Sequence, residues 1–452
     1  MQYKGVLLVM NPYFNSPQPC SIQMTPIKSL PNELLCKILE ISLNSMPFNC
    51  DPHRVQKHEL ATVCRRWRDA VVNSPAFWSS IQLVLKWRIA WVKIHIERSC
   101  QCPLDLVLSC PARIHGARSN FTALLNIMTP TMHRWRSITI LPNDDNLFIL
   151  EQLDSTVFPM LEHFSISTLP LTHEYRQSRS GYQTPHYPRL FYPENAPRLR
   201  SLEICEREFL SPNDFRLSPS LQKVSLFLGF DLDKDMKRIA WLNSLWMQNL
   251  KALSLQGSTS HWKIEPNSVH LPFLTYLSLK VSDARALLRA FIVPSLVRVD
   301  YYQSWSETVL YTFNTIQLKW ASVRDLRFQI IRLLIHRCRV GLMALCRAAP
   351  GVRDLEIIEA DLSDFLDSED GICPMDQLEY LEKFTIVADV NKFRDMRERL
   401  LPWLKKRSEF GKSSLKVTFS FTNPRNVELE QDTLEEIGRY CDVDFFMEKE
   451  PL

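Results

Sequence analysis

Two hydrophobic spacings divide the chain. Near the start the spacing is helical. Leu34, Leu35, Ile38, Leu39 and Ile41 share one broad face and predict an amphipathic helix, opened by Leu30-Pro31-Asn32-Glu33. Residues 44–58 are polar and hold Pro47 and Pro52, so a loop is expected there. A second helix is expected from about Glu59, with Leu60, Val63, Cys64, Trp67, Ala70 and Val71 on one stripe, closed by Ser74-Pro75. Phe77, Trp78 and Ile81 follow. A block of roughly 55 residues buries a small share of its surface. Each large apolar side chain is worth roughly 1.5–3 kcal/mol when buried. Part of this apolar surface therefore calls for cover from another molecule or another domain.

Beyond residue 100 the period changes. An apolar-x-x-apolar-x-apolar unit begins at Trp135, Ile138, Ile140 and recurs at Leu161, Phe164, Ile166 and at Leu199, Leu202, Ile204. It continues at Leu221, Val224, Leu226, at Leu250, Leu253, Leu255, at Leu274, Leu277, Leu279 and at Leu296, Val299, Tyr301. The last copies are Val323, Leu326, Phe328, then Val352, Leu355, Ile357, then Leu381, Phe384, Ile386. Starts are usually about 22–29 residues apart, the interval of leucine-rich repeats. Between Leu161 and Leu199 a Pro-rich stretch over 168–196 reads as an inserted loop. In each unit the two alternating apolar residues point to one side of a strand, and the leading one fills the turn before it. Pro159, Pro197, Pro219, Pro272, Pro294 and Pro350 stand two positions ahead of the leading residue, where no helix continues. Helical stretches such as Ala284–Phe291 and Val340–Ala348 fall between strands. One strand and one helix cannot bury their own face, whereas stacked copies can. The expected fold is α/β: a small three-helix head, then a repeat solenoid with a parallel sheet lining its concave side. Leu104, Leu106 and Leu108 suggest a cap strand or degenerate first repeat, and Leu415, Val417, Phe419 and Phe421 a terminal strand.

Composition fits this plan. The chain has 452 residues, 45% hydrophobic and 23% charged, which suits a globular protein. Only 10 Gly argue against folds built on glycine-rich nucleotide loops. A net charge of +4 is too small at this length to point to nucleic acid or a membrane surface. No apolar run approaches the ~18–20 residues of a membrane span, and the run Gly5–Met10 is too short for a secretory core. A cytoplasmic or nuclear location is expected. The 12 Cys form no CxxC pair and read as small buried residues.

No catalytic constellation emerges. Gly411-Lys412-Ser413 has the end of a phosphate-loop motif, but Lys406 stands where that motif needs Gly, and a helical stretch precedes it. Cys50, His53, His58 and Cys64 are close in sequence, yet Cys64 is expected on a helix face beside Trp67, so no metal site is assigned. Asp144-Asp145 and Glu369-Asp370-Gly371 read as solvated loops. Arg324, Arg327, Arg332, Arg337 and Arg339 make a basic segment that suits an acidic or phosphorylated target, but the favoured reading is a solvated helix face.

Leu30-Pro31-x-Glu33-Leu34-x-x-x-Ile38-Leu39, Val63-Cys64-Arg65-x-Trp67-Arg68 and Ser74-Pro75-x-x-Trp78 together resemble an F-box. With irregular leucine-rich repeats behind it, the chain resembles the F-box proteins abundant in fungi. The resemblance implies a non-catalytic substrate receptor of an SCF-type ubiquitin ligase, needing no cofactor. Its F-box docks on a Skp-type adaptor and, through it, on a cullin; its repeats hold a target protein. It implies that Leu30, Pro31, Leu34, Ile38, Leu39, Val63, Trp67 and Trp78 divide between adaptor contact and F-box core. The corresponding layout is a loose tail at 1–26, an F-box at 27–83, a linker helix and cap strand at 84–110, repeats at 111–425 and a C-terminal cap at 426–452. Two other readings stay open: a repeat scaffold for protein partners outside any ligase, and a solenoid that seats a small ligand.

Residues alternating with the buried ones face the concave side. Toward the N-terminus they are small and hydroxylic: Ser165, Ser225, Ser254 and Ser278. From Tyr276 onward they include Tyr276, Lys280, Asp300, Tyr302, Arg327, Gln329 and Glu356. Tyr and Arg are favoured interface anchors. This stretch is the candidate target surface, against the plainer reading of ordinary solvated sheet residues.

Overall fold

A computed structural model of the chain describes residues 30–44, 52–83, 88–111, 114–141, 145–154, 156–166, 189–204, 217–228, 248–257, 259, 262–303, 319–330, 338–358, 363–366, 372–388, 393–411, 415–421 and 431–447. These residues fall into two compact units. One runs to Trp78 and takes in Arg98–Cys100; the other holds Ser79–Glu97 and continues from Gln101.

The first unit is helical. Among the described residues it holds α1 (Asn32–Asn44), α2 (Pro52–Val63), α3 (Arg65–Asn73) and a 3-10 turn, Pro75–Trp78. The Pro31 carbonyl accepts the first bond of α1 from Leu35 N–H, at 3.0 Å. From α3, Arg66 donates to the Asn32 side chain at 3.0 Å and to the Leu30 carbonyl, pinning the start of α1. Trp78 Nε1–H donates to the Val71 carbonyl at 2.9 Å, closing the last turn onto α3. Two sequence expectations change here. A helix already begins at Pro52, inside the expected loop, because proline at the first helical position loses no hydrogen bond. The expected continuous stripe from Leu60 to Val71 is broken at Cys64. That residue is extended (φ −160°, ψ 171°), and its carbonyl starts α3. Val63 and Cys64 are consequently exposed rather than packed on one helix face.

The second unit is built on one parallel sheet of fourteen strands. Its strands are β1 (Ser80–Leu83), β2 (Leu104–Leu108), β3 (Trp135–Ile140), β4 (His163–Ile166), β5 (Ser201–Ile204), β6 (Lys223–Leu228) and β7 (Ala252–Gly257). After β8 (Val269–His270) come β9 (Tyr276–Val281), β10 (Phe291–Ile292), β11 (Arg298–Gln303), β12 (Asp325–Ile330), β13 (Asp354–Ile358), β14 (Lys383–Ala388), β15 (Lys416–Phe421) and β16 (Asp442–Met447). Among the described residues only β8 and β10 stand apart, as a small parallel pair that the sequence pattern does not announce. The sheet follows chain order throughout. Helices precede most of the remaining strands: α4 (Ile89–Arg98), α5 (Ala117–Met128), α6 (Asn146–Leu153), α7 (Arg285–Ala290), α8 (Cys338–Ala348), α9 (Ser363–Leu366), α10 (Phe393–Glu409) and α11 (Gln431–Gly438).

Register explains the apolar code. Ile81, Leu106, Ile138, Phe164, Leu202, Val224, Leu253, Leu277, Val299, Leu326, Leu355, Phe384, Val417 and Val443 pair strand to strand in one unbroken row. The next apolar residue of each strand, from Leu83 to Phe419, forms a second row two residues on. The first row is buried up to Val417, as is the second up to Phe419; Val443 packs against the same core from its rim. Helix residues such as Phe121, Leu124, Leu287, Leu345, Leu400 and Trp403 join the same apolar cluster. A one-residue slip would expose every member of both rows, so the pattern fixes the register.

Many of the strands are entered through a repeated turn. Leu161, Leu199, Leu221, Leu274, Leu296 and Val352 donate N–H to the carbonyl three residues back, at 3.2–3.3 Å. The prolines fill the second position of that turn, where their fixed φ is already correct. The following residue then reaches across to the previous coil. Arg200, Gln222, Lys251, Thr275, Val297, Arg324, Arg353 and Glu382 donate to the equivalent carbonyl there at 2.7–2.9 Å. That carbonyl also receives the next N–H of the same coil, so one oxygen clasps two donors at every step.

Further differences sit at the margins. Of the two readings of residues 104–108, the structure fits the degenerate first repeat, with Leu106 and Leu108 beside Ile138 and Ile140, and not the cap, because β1 pairs with β2 outside it. Residues 415–421 are not terminal either: α11 and β16 add one more helix and strand, with Val417 beside Val443. Asp145 is not a solvated loop residue. It is buried, caps α6 through Phe148 N–H at 3.4 Å, and receives Arg118 Nε–H at 2.8 Å. Gly411 ends α10 with φ +65°, a left-handed closing position rather than a phosphate loop. Lys412, Ser413, Cys50, Asp144 and Glu369-Asp370-Gly371 lie outside the described residues, as do the expected tail at 1–26 and most of 168–196.

Candidate functional site

Among the described residues the helical unit exposes apolar side chains on α1 and at the end of α2. On α1, Leu35 and Leu39 point inward and are buried. One step round the helix, Leu34, Ile38 and Ile41 are 52%, 48% and 59% exposed, and Val63 at the end of α2 is 60% exposed. Leu34, Ile38 and Ile41 are spaced i, i+4, i+7 and so lie along one stripe. Pro31 is exposed as well, while Leu30 and Trp67 are half-buried. Trp78 is interior, with the Arg98 guanidinium 4.5 Å and the Lys57 amine 5.6 Å from its ring. Burial lowers the Lys57 amine to about 8. The eight residues singled out from sequence therefore separate: Pro31, Leu34, Ile38 and Val63 face outward, whereas Leu39 and Trp78 serve the interior. Ile41 belongs to the outward stripe and was read from sequence only as part of the broad helix face.

The second surface lies on the sheet, opposite the core. Pairing brings Ser278, Asp300, Arg327, Glu356 and Thr385 into one row across β9, β11, β12, β13 and β14. Tyr276 and Arg298 are paired in the row before it, and Tyr302 and Gln329 in the row after it. Lys280 stands two residues beyond Ser278 on β9. All seven sequence-chosen residues thus come together on four strands of one sheet face. They do not share one degree of access. Asp300 is only 4% exposed, because its carboxylate is covered. Tyr276 Oη donates to Asp300 Oδ2 at 2.8 Å, and Arg298 Nε donates to Oδ1 at 3.0 Å. Burial first, and then this bond to Asp300, pushes the Tyr276 phenol up to about 12. Ser278, also expected in the open, is buried too.

Arg298 was missed in the sequence. It alternates with the buried Val299 on the same face as Asp300 and is the register partner of Tyr276, so the pattern that picked out Tyr276 also pointed to it. Its guanidinium lies over the Tyr276 ring, 5.7 Å from the centroid, as Lys280 lies 5.8 Å over Tyr302. Arg327 Nε is 3.2 Å from Glu356 Oε1, an ion pair by distance, but the angle is too poor for a hydrogen bond and the nitrogen is buried without one. Burial raises the Glu356 carboxyl despite Arg327 beside it, and burial likewise raises the Tyr302 phenol. The expected arginine-rich helix face is not formed as a unit. Arg324 instead staples a turn, donating to the carbonyls of Ala321, Val323 and Gly351 at 3.1–3.2 Å, and Arg327 sits on a strand. Arg332 and Arg337 lie outside the described residues.

Among the described residues no three His, Cys, Asp or Glu side chains converge as metal ligands, and no helix is long and apolar enough to cross a membrane. The chain matches no protein-family model, and no curated protein matches it. Two surfaces stand out among the described residues: an apolar stripe on the helical unit, and a charged, aromatic face on the sheet.

Proposed function

We propose that this protein is the substrate-recognition subunit of an SCF-type ubiquitin ligase. The helical unit is an F-box that binds a Skp-type adaptor, and through it a cullin. The parallel sheet and its turns are a leucine-rich-repeat solenoid that holds a target protein. The observation that carries this reading is the exposed stripe of Leu34, Ile38 and Ile41, with Val63, on a unit resembling an F-box in sequence. Such a contiguous apolar strip on a small helical unit favours a protein partner. The protein itself makes and breaks no bond in this role. It raises the effective concentration of a target lysine near a charged conjugating enzyme, in the cytoplasm or the nucleus.

Affinity capture of the full chain tests both halves. Skp-type adaptor is expected with the wild type and is expected to be lost with Leu34→Asp, while the sheet remains folded. Targets are expected to depend on Tyr302 and Arg327. If the wild type recovers no adaptor under conditions that recover other partners, the ligase assignment fails and a free-standing scaffold replaces it.

A further inference from the structure

We infer that the sheet face centred on Arg327 takes a carboxylate-rich segment of the target protein. This rests on the reading of that face as the target surface. Three observations carry it. First, charge is layered. The Lys280 side chain is exposed, and those of Arg298 and Arg327 are 47% and 35% exposed, while the carboxylates of Asp300 and Glu356 are 5% and 27% exposed. A ligand approaching this face meets cations before it meets acids. Second, Asp300 is already engaged. Its two oxygens accept from Tyr276 and Arg298, so it positions those side chains and offers nothing outward. Third, among the described residues the Arg327 guanidinium donates no hydrogen bond, and its buried Nε misses alignment with Glu356. A guanidinium fork matches a carboxylate in two parallel bonds. The Tyr302 ring, with Lys280 over it, supplies a flat apolar body beside that fork.

A single negative charge suits the position better than a phosphate dianion. Arg298 is committed to Asp300, which leaves Arg327 and Lys280 to receive the ligand. Glu356 and the half-buried Asp325 stay close by. The charged groups around Glu356 are Arg327 and Asp325 on β12, Arg298 and Asp300 on β11, Asp354 on its own strand and Lys383 on β14, the last held by Asp354 at 3.0 Å. With its carboxyl already raised by burial, Glu356 takes up a proton more readily than an ordinary carboxylate as pH falls. Protonation removes the acid competing for Arg327, so ligand binding tightens in that direction.

The test uses the full-length chain and rhodamine-labelled hexaglutamate, read by fluorescence anisotropy at low salt. Hexalysine and a neutral Gly-Ser peptide bearing one phosphoserine are the comparators. Hexaglutamate is expected to bind and hexalysine not. Arg327→Ala is expected to weaken binding about tenfold and Arg327→Lys about threefold, the fork being lost while the charge is kept. Glu356→Gln is expected to tighten binding about threefold at pH 7 and to flatten the gain seen on acidification. Absence of hexaglutamate binding, an unchanged Kd in both Arg327→Ala and Glu356→Gln, or tighter binding of the phosphoserine peptide overturns the carboxylate assignment. If that assignment falls while Tyr302→Ala still abolishes target capture, the sheet face remains the target surface and only its charge preference was wrong. If target capture is also unchanged, the surface itself is misassigned.

Discussion

Leu34 and Leu35 are adjacent on α1 and predict opposite phenotypes. Leu34 and Ile38 each leave about half of their side chain in solvent, at 52% and 48% exposure, whereas Leu35 and Leu39 are at 1%. Fully burying such a side chain contributes roughly 1.5–3 kcal/mol. Covering the exposed half of Leu34 and of Ile38 is therefore worth about 1 kcal/mol each. The double substitution Leu34→Ala, Ile38→Ala should weaken adaptor binding by about 2 kcal/mol, roughly 30-fold in Kd. Folding stability should fall by about 1–2 kcal/mol for the pair, from the half of each side chain that is already packed. Leu35→Ala or Leu39→Ala should instead cost about 2–5 kcal/mol of stability through the cavity left behind. Isothermal titration calorimetry with a Skp-type adaptor, paired with urea denaturation of each variant, reads both quantities. Equal adaptor affinity for wild type and the Leu34/Ile38 variant would refute the reasoning. So would a loss of stability matching that of Leu35→Ala, since the stripe would then be interior.

Other predictions follow from single contacts. Gly351→Ala should destabilise the sheet unit by about 1–3 kcal/mol, because a methyl group there runs into the Arg324 guanidinium and sits 2.9 Å from the Ala321 carbonyl. In chemical denaturation, adding Arg324→Ala should make the two costs less than additive; strict additivity would count against the contact. Native thiol labelling at pH 8 should modify exposed Cys64 quickly, and Cys346 and Cys373 only after unfolding. Burial pushes those two thiols up to about 12 and about 11, so little thiolate is present; mass spectrometry showing equal native rates would sink this. The Tyr276 phenol, raised from the ordinary value near 10 to about 12, favours its neutral form in the folded state. Its contribution to stability is whole below pH 10 and is lost as pH rises toward 12. Tyr276→Phe should remove that late-ionising phenol from the ultraviolet titration, and an unchanged titration would refute the assignment.

The sheet was legible in the sequence because a parallel strand buried on one face repeats its apolar residues at a fixed spacing, and Pro marks the turn before it. Leu277, Val299 and Leu326 could be aligned without coordinates for that reason. The margins were harder. Ile81 and Leu83 stand close behind helical residues, which hides β1, whereas Tyr440, Val443 and Phe445 repeat the apolar unit at the usual interval after Val417, so β16 was within reach of the pattern. The break at Cys64 leaves the helical period almost intact and is set by backbone dihedrals, which the pattern does not encode. Alternation told which side Asp300 faces but not that Tyr276 and Arg298 close over it. Access depends on neighbours from adjacent strands, and those are fixed only once the register is known.

The doubly accepting carbonyl ahead of strands such as β6, β7 and β12 has a further consequence. Coils are fastened to one another at that point, so the length of the path between one strand and the next turn is of little importance to the sheet. Severing the backbone within such a return path, for instance between β6 and β7, should leave the two pieces latched side by side. The protein is then suited to reconstitution from separately expressed fragments, each carrying its own unbroken run of coils.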